Sequence, residues 1–160
     1  MQPINHTLRF RTAYNQFYLC DKDAPGSTDS PEFWTEQAFD DKLAVEEGIL
    51  GICTGTYSYV KGELSLRYCP PDETDFACCD HVVEGSLEIK AGILQVLDCP
   101  DSTVIAEFAV APGCYRVRVR TAGLSSIIDE EAEADDTYVI DVWPAVAVPR
   151  RVLKKSMYSY

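Results

Sequence analysis

The sequence predicts a mainly β protein, an antiparallel β-sandwich of about eight strands with one inserted α-helix. Apolar and polar residues alternate with a period of two over several short segments, which is typical of strands that bury one face. Pro and Gly turns separate these segments. Only one stretch carries the broad apolar stripe of a helix. This favours antiparallel pairing, because a parallel sheet needs a long crossover between its strands.

The predicted strands follow one another with short turns between them. The segment 114–120 is the clearest, because apolar residues directed inward alternate with residues directed outward, namely Tyr115, Val117 and Val119 against Arg116, Arg118 and Arg120. The predicted strands lie at 7–19, 49–54, 62–69, 82–90, 93–97, 103–110, 114–120 and 137–143.

One helix is predicted over residues 31–47. Ser30 is a candidate N-cap, Pro31 suits the first helical position, and Gly48 is a C-terminal stop. The length of 160 residues predicts a single domain over 1–160. We expect the basic tail at about 150–160 to be poorly ordered, as chain ends often are.

Charge narrows the possible partners. Fourteen basic and 26 acidic residues give a net charge of -12. This excess disfavours direct binding of nucleic acid or of an anionic membrane, since both need a positive face. No apolar run approaches the length that spans a bilayer. A basic protein is the partner that the charge favours.

Seven cysteines indicate a reducing compartment. The number is odd, and residues 1–6 lack the basic and apolar regions of a secretory signal, so we expect a cytoplasmic protein with reduced, mostly buried thiols. Cys78, Cys79 and His81 are candidate zinc ligands by residue type. The chain lacks the paired spacings of a zinc site, so no metal and no cofactor are predicted.

No motif for catalysis stands out. The chain has no nucleophile elbow and no phosphate-binding glycine loop. Glu84 lies in an apolar strand, where a partly buried carboxyl would be a candidate acid or base. The simpler interpretation is an outward residue, or one paired with an arginine of the 114–120 strand. No catalytic residue is predicted.

An acidic loop is the strongest candidate for partner binding. Six of the eight residues at 129–136 are acidic and no apolar period runs through them, which predicts a solvated loop between two strands. It lacks the glycine and spacing of a calcium loop. Its carboxylates would suit a basic nuclease, and exposed tyrosines are common interface anchors. The candidate residues are Asp129, Glu130, Glu131, Glu133, Asp135, Asp136, Tyr57 and Tyr59.

Several segments resemble the competence protein J family of bacteria. They are YNQFY at 14–18 followed by Trp34, HVVEGSLEI at 81–89, PGCYRVRV at 112–119 and YVIDVWP at 138–144. The resemblance implies a small cytosolic protein that inhibits a DNA-entry nuclease, or an immunity protein against a nuclease toxin. It supplies no inhibitory residue to carry over.

Three functions stay open at this point. The first is a non-catalytic protein that covers the cleft of a basic nuclease. The second is a carbohydrate-type ligand-binding sandwich, which a pocket lined by Trp and Tyr would favour. The third is a hydrolase with an unrecognised site, which a cleft with paired carboxyls of separated pKa would favour.

Overall fold

Two β-sheets packed face to face form the protein. The computed structural model describes residues 2–72 and 74–158. The strands are β1 Ile4–Arg11, β2 Gln16–Asp21, β3 Leu43–Glu46, β4 Ile49–Cys53, β5 Tyr59–Leu66, β6 His81–Ile89, β7 Ile93–Leu97, β8 Val104–Ala109, β9 Gly113–Ala122, β10 Thr137–Pro144 and β11 Arg151–Lys154. The helix α1 spans Glu36–Asp41, and a short 3₁₀ turn spans Leu124–Ser126.

The sheets have six and five strands. Their orders are β1-β5-β10-β9-β6-β11 and β3-β4-β2-β7-β8. Every pair is antiparallel except β5 and β10, which run parallel. The predicted mainly β sandwich is confirmed, with eleven strands in the described residues instead of about eight.

The alternating residues form the core between the sheets. Val117 and Val119 of β9 are buried there, as are Leu8 and Phe10 of β1 and Phe17 of β2. Truncating such a side chain typically costs about 1–5 kcal/mol, so this layer dominates the stability of the sandwich. The inward direction predicted for residues 115, 117 and 119 is confirmed.

The prediction of one strand over 7–19 is wrong. Tyr14 and Asn15 take left-handed φ values of 57° and 55°, so the chain turns between β1 and β2. The two strands then join different sheets. Alternation continues through the turn, which is why the sequence pattern did not reveal the break.

The helix is far shorter than the predicted 31–47. Thr35 is its N-cap, and Lys42 ends it in the left-handed conformation with φ of 63°. Residues Leu43–Glu46 pair with β4 as an edge strand. Leu43 and Ala44 are fully buried there, so tertiary burial outweighs the local helical signals.

The basic tail is ordered, contrary to the prediction for 150–158; residues 159 and 160 lie outside the described part. Strand β11 pairs with β6, and Arg150 Nε lies 2.8 Å from Asp41 Oδ2. The buried His81 side chain holds the segment that follows β11 in place. Its Nε2–H donates to the Asp41 carbonyl at 2.8 Å, and its Nδ1 accepts the Ser156 N–H at 3.0 Å. Burial lowers the pKa of His81, which favours this neutral tautomer.

Glu84 is a structural ion-pair residue, as the simpler interpretation predicted. Its Oε1 lies 3.1 Å from Arg116 Nε and its Oε2 lies 2.6 Å from Arg118 Nε. The arginines of β9 are on the outer face of their sheet but are not solvated, because Arg116 is only 4% exposed. Arg118 lies beneath Phe76 and Trp143, with its guanidinium carbon 5.3 and 5.6 Å from the two ring centroids.

The cysteines are less buried than predicted. Three of the seven free thiols are buried, those of Cys20, Cys53 and Cys99, so "mostly buried" is wrong. Among the described residues, no group of three or more His, Cys, Asp or Glu side chains is arranged to hold a metal ion. No helix in the described part of the chain is long and apolar enough to cross a membrane.

Candidate functional site

The acidic loop, residues 129–136, connects the 3₁₀ turn to β10 at one end of the sandwich. Four of its six carboxylates are exposed and form no ion pair within the described residues. They are Asp129, Glu130, Glu131 and Asp135. The loop therefore presents a concentrated negative field to solvent.

Asp136 anchors the loop and is fully buried. Its Oδ2 accepts the Tyr138 hydroxyl at 2.7 Å, and that hydroxyl oxygen accepts the Gly55 N–H at 2.6 Å. The other oxygen, Oδ1, has no hydrogen-bond partner among the described residues. A partner cannot reach Asp136 without displacing the loop, so this residue sets the loop's position.

Glu133 holds the other side of the loop to the sheet. It lies 3.0 Å from Arg9 and 3.6 Å from Lys61, and the Lys61 ammonium also bonds the Ala134 carbonyl. The hydrogen bond from Arg9 lowers the pKa of Glu133. Arg9 in turn lies 4.7 Å from the centroid of the Tyr59 ring. Tyr59 thus supports the loop indirectly, because its ring contacts the Arg9 guanidinium that pairs with Glu133.

Tyr57 joins the acidic loop to the turn between β1 and β2. Its N–H donates to the Glu130 carbonyl at 2.5 Å, and its ring contacts Tyr14 edge-to-face at 5.5 Å. Tyr14 is 60% exposed and has a left-handed φ of 57°. That conformation costs a bulky residue about 1–2 kcal/mol. An exposed ring held in a strained turn is typical of a binding site.

Beside this turn lies a pocket of about 280 Å³, here termed the aromatic pocket. Trp34 and Phe39 form one stacked pair in it, with centroids 5.1 Å apart. Phe39 is 53% exposed. The residues that line the pocket are Tyr14, Asn15, Gln16, Trp34, Phe39, Cys53, Thr54 and Glu130.

Gly51 allows the Phe33 and Trp34 rings to pack close to the backbone of β4. A Cβ on Gly51 of β4 would lie 2.8 Å from both the Phe33 and Trp34 rings. Trp34 Nε1 is buried and has no hydrogen-bond partner in the described residues. An unpartnered buried donor costs about 1–3 kcal/mol, and packing of the indole against Phe33 and Phe39 offsets that cost.

Cys53 lines the pocket but is a poor nucleophile. Burial raises the pKa of its thiol to about 12. The thiol is therefore protonated at neutral pH, and only the thiolate attacks carbonyl or phosphoryl groups.

The structure brings the predicted site residues to one end of the sandwich, with different roles. Asp136 and Glu133 hold the loop, Tyr59 supports Arg9, and the remaining predicted residues reach the surface or the pocket rim. Trp34 and Phe39 were not among the predicted site residues, because both lie within the helix predicted over 31–47, whose apolar stripe is typical of a buried face.

Comparison with protein-family models gives no match, and no curated protein sequence matches the chain. Two solved structures are similar. One is ComJ from Bacillus subtilis, inhibitor of the DNA-degrading activity of NucA, with a TM-score of 0.68 and 16% identity over 91% of this chain and 100% of that one. The other is described as crocagin biosynthetic gene J, with a TM-score of 0.59 and 18% identity over 91% of this chain and 100% of that one.

The chain has a ComJ-like fold. At this level of identity the likeness concerns the fold alone, because unrelated functions recur on one fold.

Proposed function

We propose that the protein is a non-catalytic inhibitor or immunity protein that binds a basic nuclease. The observation that carries the proposal is a loop with four exposed carboxylates that form no ion pair among the described residues, one of which, Glu130, lines the aromatic pocket. A basic cleft attracts the carboxylates, and the aromatic rings supply the apolar contact area that holds a complex together. The likeness to ComJ supports a nuclease as the partner.

The proposed mechanism is occlusion. Carboxylates of the acidic loop would take the places of nucleic-acid phosphates in the nuclease cleft and so exclude DNA. Glu133 and Asp136 fix the loop before binding, so little ordering entropy is lost on association. We place the encounter in the cytoplasm, where the exposed thiols Cys69 and Cys78 would stay reduced.

The test is inhibition of a basic nuclease from the same organism, and a nuclease encoded by a neighbouring reading frame would be the first choice. DNA degradation by the purified nuclease is measured against increasing amounts of the protein. We expect stoichiometric inhibition that excess DNA relieves. A nuclease that neither binds the protein nor loses activity in its presence would contradict the proposal.

A small-ligand binding protein is the second candidate, because Tyr14, Trp34 and Phe39 line one pocket. The pocket volume of about 280 Å³ is at the lower limit of small-molecule sites, which span about 300–1,000 Å³. Thermal-shift screening against mono- and disaccharides separates the two candidates. Stabilisation by a sugar, with no effect on the nuclease, would favour the second.

A further inference from the structure

The aromatic pocket has the chemistry of a site for one cationic side chain. The rings of Trp34 and Phe39 stack with their centroids 5.1 Å apart, and Tyr14 lines the same pocket, so three aromatic side chains border it. Glu130 of the acidic loop lines the same pocket. Neither lysine nor arginine is among the lining residues. Aromatic faces and a carboxylate together attract a cation.

We propose that the aromatic pocket receives a single arginine side chain of the basic partner. This rests on the proposed function and names the group that the partner inserts. A guanidinium is planar and weakly hydrated, so it stacks on rings at a lower desolvation cost than the compact ammonium of lysine. Its N–H groups can donate to the Glu130 carboxylate while its face lies against an indole or phenyl ring.

The polar groups of the pocket favour a cation over a sugar. Asn15 Nδ2 donates to the Thr54 carbonyl at 3.2 Å, and Gln16 Nε2 donates to the Tyr14 carbonyl at 3.4 Å. Gln16 Oε1 accepts the Tyr18 hydroxyl at 3.0 Å. A sugar needs several convergent donors and acceptors, and here these groups already have partners. The Glu130 carboxylate has no ion-pair partner in the described residues, so it is available to a cation.

The exposure of the rings also points to a partner. Tyr14 is 60% exposed and Phe39 is 53% exposed, so neither ring is needed to fill the core. Large aromatic rings clustered at a pocket are a usual setting of an interface hot spot. Arginine is among the residues most enriched at such positions on the opposing protein.

The first test uses a probe that needs no nuclease. The chain has two tryptophans, so its ¹H–¹⁵N spectrum has two indole signals, and Trp34→Phe assigns the one in the pocket. The probes are acetyl-Gly-Arg-Gly-amide and the same peptide with citrulline, which keeps the shape but is neutral. We expect a saturable shift of the Trp34 signal with the arginine peptide and binding about fivefold weaker with citrulline. An absent shift, or equal binding of both peptides, would overturn the proposal.

Matched variants locate the binding. Glu130→Gln and Phe39→Ala should each weaken the arginine peptide about three- to fivefold. The controls are Glu88→Gln, an exposed carboxylate elsewhere, and Tyr68→Ala, a ring that is 57% exposed and does not line the pocket. Both controls should bind as the wild type does. Equal losses in the controls and the pocket variants would overturn the proposal.

The second test repeats these variants in the nuclease assay. Weaker inhibition by Glu130→Gln and Phe39→Ala, with unchanged controls, supports the arginine pocket. Undiminished inhibition by both pocket variants overturns it while leaving the inhibitor function in place. A wild-type protein that fails to bind the nuclease instead defeats the proposed function, and the peptide titration still decides the chemistry of the pocket.

Discussion

Neutralising the three exposed carboxylates that flank Glu130 in the acidic loop should slow association with a nuclease without weakening the fold. The variant is Asp129→Asn, Glu131→Gln and Asp135→Asn, which changes the net charge from -12 to -9. None of the three forms an ion pair within the described residues. Asp129 Oδ1 accepts the Glu131 N–H at 2.9 Å, and an asparagine oxygen can still do so. We therefore expect the free energy of unfolding to change by less than about 0.5 kcal/mol.

The size of the kinetic effect follows from Coulomb's law. One carboxylate about 10 Å from a unit positive charge contributes about 0.4 kcal/mol in water, so three contribute about 1.2 kcal/mol before screening. At 0.01 M salt the Debye length is about 30 Å, and the screened interaction is about 0.9 kcal/mol. At 0.15 M salt the Debye length is about 8 Å, and the screened interaction is about 0.3 kcal/mol. The association rate should fall about four- to fivefold at low salt and less than about twofold at physiological salt.

The association rate is measured by stopped-flow or surface-based kinetics at the two salt concentrations. The matched control is Asp23→Asn, Glu88→Gln and Asp101→Asn, which removes the same charge from exposed positions outside the loop. The dissociation rate should stay nearly constant in both variants, because rim charges act on encounter. Equal slowing by the control would show that net charge, not the loop, steers association. An unchanged association rate in the loop variant would remove the loop from the mechanism.

Three further predictions concern the scaffold of the site. Glu84→Gln removes the carboxylate that pairs with Arg116 and Arg118 and should lower the free energy of unfolding by about 3 kcal/mol in denaturant titration; a loss below about 1 kcal/mol would contradict its structural role. Because burial lowers the folded-state pKa of His81, the unfolded chain takes up a proton first as the pH falls below about 6.5. Stability should therefore decrease from that pH downward, with the tail at Ser156 released, and His81→Gln should flatten this part of the profile. Gly51→Ala should lower the free energy of unfolding by about 1–3 kcal/mol and displace the Trp34 ring, which would shift its indole signal. An unmoved signal would mean that the Phe33 and Trp34 rings tolerate the methyl group.

The strands were predictable because burial of one face imposes a period of two on the sequence. The segments at β6, β7, β9 and β10 were found in nearly their observed positions. The helix was not, because Leu43–Glu46 reads equally well as the end of an apolar helical stripe or as a short edge strand. Only the pairing with β4 distinguishes the strand from the helix, and the local sequence pattern does not predict that pairing.

Local alternation likewise failed to predict the burial of the charged side chains of β9. Their alternation predicted an outward direction, which is where they lie, but it did not predict that they would be buried. Trp143 and Phe76 cover Arg118, and the segment before β11 covers Arg116 by accepting its hydrogen bonds at Val148 and Pro149. Long-range packing turns a solvated face into a network of ion pairs.

The sequence by itself determined the β class and the acidic loop between β9 and β10. These are properties of composition and of neighbours along the chain. Only the tertiary structure decided which carboxylates anchor the loop, because Asp136 and Glu133 are distinguished from the others by contacts with Tyr138 and Arg9. It alone also formed the aromatic pocket, whose lining runs from residue 14 to residue 130. Such a site exists only after the two sheets have packed, since no local pattern links residues so far apart along the chain.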